Sequence, residues 1–123
     1  QGLLIDLIEF ANNWFITTVL NLDEITEYQS AKITAIIESL NNVTVPMIIQ
    51  LNRTKDSIPS YNKLQNMVFL VNNHLKDIME LFYQGDLFAF ETDELIKIIE
   101  NIFVKSDLRD TSINEIIELR NAA

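Results

Sequence analysis

His74-Leu-Lys-Asp-Ile-Met-Glu-Leu-Phe-Tyr-Gln-Gly-Asp-Leu-Phe-Ala-Phe90, followed after two residues by Asp93-Glu-Leu-Ile-Lys-Ile-Ile-Glu-Asn-Ile-Phe-Val-Lys-Ser-Asp-Leu-Arg109, decides the fold class of this chain. It reads as helix, glycine stop, phenylalanine-rich turn, capped helix, short polar turn and final helix. Gly85 supplies the positive φ of a helix stop, and Leu87, Phe88 and Phe90 form an apolar turn. Thr92 is positioned to cap a helix whose Asp93 and Glu94 meet the positive end of its dipole. Ser112 with Glu115 has capping-box spacing ahead of Ile113, Ile116 and Ile117.

Upstream, Tyr61, Leu64, Met67, Val68, Val71, Leu75, Ile78, Met79 and Phe82 repeat at helical spacing and predict one long helix from Ser60. Phe69, Leu70 and Leu81 widen its apolar face, so it is covered on more than one side. Residues 52–59 are polar, contain Pro59 and predict a loop. Pro46 suits the first turn of a short helix over Val45 to Leu51, although the β-branched residues around it would also suit an extended piece, and Asn41-Asn42 separates it from a helix that Thr26 and Gln29 cap. Ile33, Ile36, Ile37 and Leu40 are the buried stripe of that helix. The first segment has Leu4, Leu7, Ile8, Ala11, Trp14, Phe15, Thr18, Val19 and Leu22 at three- and four-residue spacing, which predicts an amphipathic helix with Trp14 and Phe15 in the core.

A chain of 123 residues is one domain by length. Two Gly and two Pro leave little material for the turns of a many-stranded protein, so the fold class is all-α, an antiparallel helical bundle of five or six helices over residues 1–123. Gln1 is not an initiating Met, and the reading is of a single C-terminal domain cut from a longer chain. The net charge of −9 opposes attraction to phosphate backbones and anionic lipid, so neither nucleic acid nor direct membrane insertion is expected. No uninterrupted apolar run approaches the roughly 20 residues of a membrane span, and no signal peptide opens the chain; it reads as soluble. Absence of Cys removes disulfides and thiolate chemistry and is compatible with a reducing cytosol.

Chemistry is sparsely provided for. Asp23/Glu24, Asp93/Glu94 and Asp107/Asp110 are carboxylate pairs, but each is expected at a helix start, where free amides and the dipole account for it. His74 is the only imidazole and sits mid-helix in this reading, a poor general base and a poor start for a zinc site. Gly2 and Gly85 alone make no phosphate cradle. The reading is of a non-enzyme with no cofactor and no metal. What needs explaining is surplus apolar surface. On Leu95 to Val104 the stripe Leu95, Ile98, Ile99 and Ile102 serves the core, whereas Ile96 and Phe103, seven residues apart, flank it. Either neighbours within the domain cover that flank or it is a docking face, which Leu87, Phe88 and Phe90 would extend.

The order of these elements resembles the C-terminal end of the zeste-white-ten/Dsl family of membrane-tethering subunits. There a helix, a Gly, an apolar turn, an acidic-led helix rich in Leu and Ile, and an Arg follow in the order seen from His74 to Arg109. Leu22-Asp23-Glu24-Ile25-Thr26-Glu27 is similar to the family's acidic junction between helices, and Ile58-Pro59-Ser60-Tyr61 to its Pro-plus-aromatic lead into the next helix. Phe82-Tyr83 stands where animal members tend to have Trp, which fits the fungal Dsl branch. The resemblance implies the terminal piece of a rod-like subunit that tethers coat-protein-I (COPI) vesicles in retrograde transport from Golgi to endoplasmic reticulum. It implies a cytoplasmic protein peripheral to the endoplasmic reticulum membrane. The implied partners are a large α-solenoid subunit of the same complex and, indirectly, SNARE fusion proteins and the vesicles. The partner-binding candidates are Leu87, Phe88, Phe90, Ile96 and Phe103. A self-contained adaptor or homodimeric regulatory bundle is the alternative.

Overall fold

The computed structural model describes residues 2–122, and within them every regular element is helical. The order is α1 (Gly2–Leu20), α2 (Glu27–Gln50), a 3-10 turn (Lys55–Ser57), α3 (Pro59–Asn72), α4 (Leu75–Tyr83), α5 (Thr92–Ile102) and α6 (Asp107–Ala122). Six α-helices thus form the all-α bundle that the spacing predicted.

α3 is the central post, packed on α1, α2 and α5, and α6 lies on α5. Two side-chain hydrogen bonds set the direction of α2 against it. Asn41 Nδ2 donates to Gln65 Oε1 at 2.8 Å and Asn72 Nδ2 to Thr34 Oγ1 at 2.8 Å, so residue numbers fall along one helix as they rise along the other and the pair is antiparallel. The middle of α1 is fixed to the start of α3: Asn12 Nδ2 donates to Ser60 Oγ, and the Ser60 amide and hydroxyl both donate to Glu9 Oε1. A carboxylate from one helix therefore caps another, satisfying an N–H that α3 itself cannot. Leu64, Met67, Leu70, Ile78, Leu95, Ile98, Ile99 and Ile116 form the main core, and Ile8, Ile48 and Ile58 a smaller one at the end where α1, α2 and the 3-10 turn meet.

Several boundaries differ from those the residues suggested. α2 does not stop at Asn41-Asn42 but continues through Pro46 to Gln50, because Thr44 and Ile48 are buried further along the same face. Pro46 costs the helix the hydrogen bond to the Asn42 carbonyl, and Asn42 is exposed, where water can take that place. The long helix from Ser60 is two helices. It breaks at Asn73, which is extended at φ −127° and ψ 160°, so His74 precedes α4 at its N-cap position instead of lying mid-helix. At the break Asn72 Nδ2 donates to the Val68 carbonyl and Asn73 Nδ2 to the Phe69 carbonyl, replacing backbone amides that the helix end leaves missing. α5 is capped from Glu91, not Thr92, with the Glu94 carboxylate accepting the Glu91 amide at 2.9 Å. Ser112 does not open the last helix. It is buried inside α6, which starts at Asp107 behind Ser106, whose hydroxyl accepts the Arg109 amide. The Thr26–Gln29 capping box forms reciprocally as read.

Candidate interaction surface

The turn between α4 and α5 is held from both ends. Gly85 has φ +84°, its amide donates to the Phe82 carbonyl, and the Asp86 amide donates to the Leu81 carbonyl, the two bonds of a Schellman stop. On the far side Arg120 of α6 places Nη1 2.9 Å from the Phe90 carbonyl and Nη2 3.1 Å from the Leu87 carbonyl, while its guanidinium lies 5.6 Å from the centre of the Phe82 ring. One planar cation thus satisfies two carbonyls of a segment without regular structure. Lys63 Nζ, paired with Glu94 at 2.9 Å, lies 5.1 Å from the centre of the Phe90 ring.

This clamp sorts the three apolar side chains of the turn. Leu87 is 1% and Phe90 0% exposed, both inside the main core, whereas Phe88 is 76% exposed. Leu87 and Phe90, expected to extend a docking face, are instead the anchors beneath it, and Phe88 alone of the three is presented. With Phe82, Tyr83, Gly85, Leu87, Leu119 and Arg120 it lines a concavity of about 370 Å³. Tyr83 donates its hydroxyl to the Glu115 carboxylate; that hydrogen bond, then burial, then the Glu115 charge hold the phenol above its ordinary 10.0.

Ile96 and Phe103 do not share a helical face. Ile96 is on α5, but α5 ends at Ile102 and Phe103 is its extended C-cap at φ −107° and ψ 136°. Both are half-buried against the main core, so the domain's own neighbours cover much of each. The Phe103 carbonyl accepts from Arg109 Nη1 at 2.8 Å, which fixes the turn into α6, and Val104 beyond it is exposed. Across the molecule, Asn101 Nδ2 donates to the Leu22 carbonyl and the Ile25 amide to the Asn101 carbonyl, tying the acidic α1–α2 junction to the end of α5.

Further exposed apolar surface lies elsewhere, on helices assigned to the core. α1 buries Ile8, Asn12, Phe15, Ile16 and Val19, which leaves Leu3, Leu7, Phe10 and Trp14 facing outward. Trp14 is 63% exposed and Leu7 55%, so neither belongs to the core stripe in which the spacing placed them. Ile36 and Val43 of α2 are exposed beside them. A groove of about 430 Å³ runs between the two helices, lined by Phe10, Ala11, Trp14, Phe15, Ile36 and Leu40 without a single charged side chain. The signal for it was present: α1 is apolar around most of its circumference, and only one side of a helix can face one core. By length and composition α1 would also suffice to cross a membrane, more than the reading of its apolar runs allowed, although its inner face is spent on the core.

Reaction chemistry has little to work with here. Asp93 and Glu94 lie in the first turn of α5 and Asp107 and Asp110 in that of α6, where the dipole accounts for them. Asp23 and Glu24 are exposed in the junction, ahead of the helix start where they were expected. Among the described residues no three His, Cys, Asp or Glu side chains gather in a way that could hold a metal ion. What the arrangement offers is apolar surface held on a rigid frame.

Two comparisons with known proteins show the family. Residues 1–123 match the family model described as retrograde transport protein Dsl1 C terminal. Over 126 residues the chain is 32% identical to the protein transport protein DSL1 of Saccharomyces cerevisiae, covering 98% of this chain and 16% of that relative. The chain therefore spans about one-sixth of the length of the curated relative it matches.

Proposed function

Because this chain belongs to the family of Dsl1 C-terminal domains, we propose that it is a non-enzymatic scaffold of a multisubunit tether in retrograde transport from Golgi to endoplasmic reticulum. The observation that carries the reading is the family match from the first residue to the last. The fold is suited to the task, since a bundle whose turns are pinned by Arg120, Arg109 and Asn101 transmits position with little internal give. In this reading the domain joins a large α-solenoid subunit of the same complex, works in the cytoplasm at the endoplasmic reticulum membrane, and acts on COPI vesicles and SNARE proteins only through the assembly. The contact includes Phe88, with Ile96 and Phe103 at its margin and Leu87 and Phe90 holding it from below.

Affinity in such a joint comes from a few buried apolar anchors, and truncating one costs about 2 kcal/mol or more. The test is purification of the tagged parent protein from cells, with and without the change Phe88→Asp. The expected result is recovery of a large helical subunit with the unaltered protein, its loss with the variant, and leakage of endoplasmic reticulum residents when the parent is depleted. Recovery of no such subunit, or intact retrieval of residents on depletion, overturns the function. Unchanged recovery with Phe88→Asp overturns only the placement of the contact.

A further inference from the structure

We propose that in the full-length protein the outward seam of α1 and α2 is covered by the polypeptide that leads into α1, folded back along it as one antiparallel helix. The inference rests on the reading of this chain as the C-terminal domain of a longer tether subunit. It makes α1 a helix shared between this bundle and what precedes it.

The spacing points to a helix. Leu3, Leu7, Phe10 and Trp14 follow at intervals of four, three and four residues on α1, and Ile36, Leu40 and Val43 keep the same kind of interval on α2. Side chains of a facing helix insert between side chains so spaced. The two helices are antiparallel neighbours, with Ile8 packed on Ile48 near one end and Phe10 and Trp14 beside Ile36 and Leu40 further along. From Leu3 to Trp14 the stripe runs about 16 Å along the helix axis, so roughly three to four turns of a facing helix cover it. An extended segment laid there would press unpaired backbone groups against an apolar lining, whereas a helix brings its own hydrogen bonds.

Connectivity chooses the occupant. The family model is described as a C terminal, and the matched stretch is 16% of the yeast relative, so in that relative a long polypeptide lies ahead of it. A chain entering α1 arrives beside Leu3, at one end of the seam. Helices of a bundle joined by a short connection, roughly 2–8 residues, pack as antiparallel neighbours. A segment so tied is present at an effective concentration on the order of millimolar, which favours it over a separate protein that must be captured from solution. The inner sides of α1 and α2 are both packed on α3, so no element of this domain is free to cover the outer ones. The lining of the groove also suits a permanent contact: it contains no charged side chain, and permanent interfaces are the more apolar ones.

The test uses the full-length protein with a photocrosslinker in place of Leu7, irradiated in cells and after purification. A crosslinker in place of Val104, 84% exposed in the turn between α5 and α6, is the control. Mixing isotopically light and heavy copies of the purified protein separates links within one chain from links between two. The expected product is a link within one chain from position 7 to the first helix ahead of α1, absent from position 104. Leu7→Glu with Phe10→Glu should also raise the rate of protease cleavage in that helix at least about ten-fold, because cleavage follows the population of the undocked form and two charges cannot be buried cheaply. A link between light and heavy copies overturns the proposal by making a second copy the occupant. A link to another protein or to lipid overturns it in favour of a separate partner or a membrane, and absence of any link does so by showing the seam open. Unchanged cleavage in the folded double variant overturns it as well. Leu7 is 55% exposed and accommodates the crosslinker, so the link decides the matter even if the double variant unfolds. None of these readings requires the α-solenoid subunit. Failure to recover that subunit while the position 7 link forms normally condemns the tether reading, and the reverse result condemns only the covered seam.

Discussion

The turn from Gly85 to Glu91 and the seam of α1 and α2 are made of similar side chains, Leu, Phe and Trp, yet they treat them in opposite ways. The turn has no helix of its own, so its carbonyls need donors and most of its apolar side chains reach inward to hold it; Leu87 and Phe90 are buried, Phe88 alone stays outside, and Arg120 closes the backbone. The helices of the seam satisfy their backbones internally, so their outer side chains are free to stay outside. Apolar surface on an irregular segment is therefore mostly anchorage, and apolar surface on a helix already packed on its other side is left over for something else.

The largest effect that would test this contrast is at Phe90. Its ring is fully buried beneath Lys63, and Phe90→Ala should destabilise the domain by about 3–5 kcal/mol in denaturant unfolding, the range for large buried aromatics. A change below about 1 kcal/mol would mean that the turn is not anchored. Next comes Arg120→Ala, which leaves two carbonyls and the Phe82 ring without their cation. Hydrogen bonds from a charged donor are worth about 1.5–3 kcal/mol, so a loss of about 2–3 kcal/mol is expected, with Arg120→Lys recovering only part because an ammonium lacks the planar fork. Full recovery by Lys would show that charge alone matters there. Gly85→Ala should cost about 1 kcal/mol, and the cost is conformational, since φ is +84° and a Cβ would meet nothing within 4 Å. Melting temperature measures it; an unchanged value would mean that the stop relaxes without strain.

The sequence was legible where structure is local. Gly85, the acidic first turns of α5 and α6 and the Thr26–Gln29 box each depend on residues within a turn of one another, and each was readable without knowing the fold. Two identical dipeptides show where local reading ends. Asn41-Asn42 was read as a stop and Asn72-Asn73 as mid-helix, and the molecule does the reverse. At 41 the side chain bonds Gln65 of α3 and the helix carries on to bury Thr44 and Ile48; at 72 and 73 the amides turn back on Val68 and Phe69, and the chain bends so that Ile78, Met79 and Phe82 reach the core. Only the packing partner distinguishes the two. The candidate surface was harder still. Periodicity gives the spacing of a stripe but not its compass direction, and on α1 the stripe through Leu7 and Trp14 competes with one through Ile8, Phe15, Ile16 and Val19. The spacing read from the sequence mixed residues of both stripes, and Asn12, buried between Ile8 and Ile16 and bonded to Ser60, marks the inner side with a polar residue that apolar periodicity does not register.

Trp14→Ala is the smallest expected effect and the sharpest test of the comparison. Trp14 is 63% exposed, and its neighbours Phe10, Ile36 and Leu40 line an open groove rather than a closed core, so its removal leaves no cavity inside the bundle. Surface substitutions of this kind stay within about 0.5 kcal/mol, roughly a tenth of the expected cost at Phe90. Urea unfolding of the two variants side by side makes the measurement, with the emission of the unaltered chain as a control for exposure. If Trp14→Ala instead costs as much as Phe90→Ala, the outer stripe of α1 is core, the two regions do not differ, and the seam has no room for a partner.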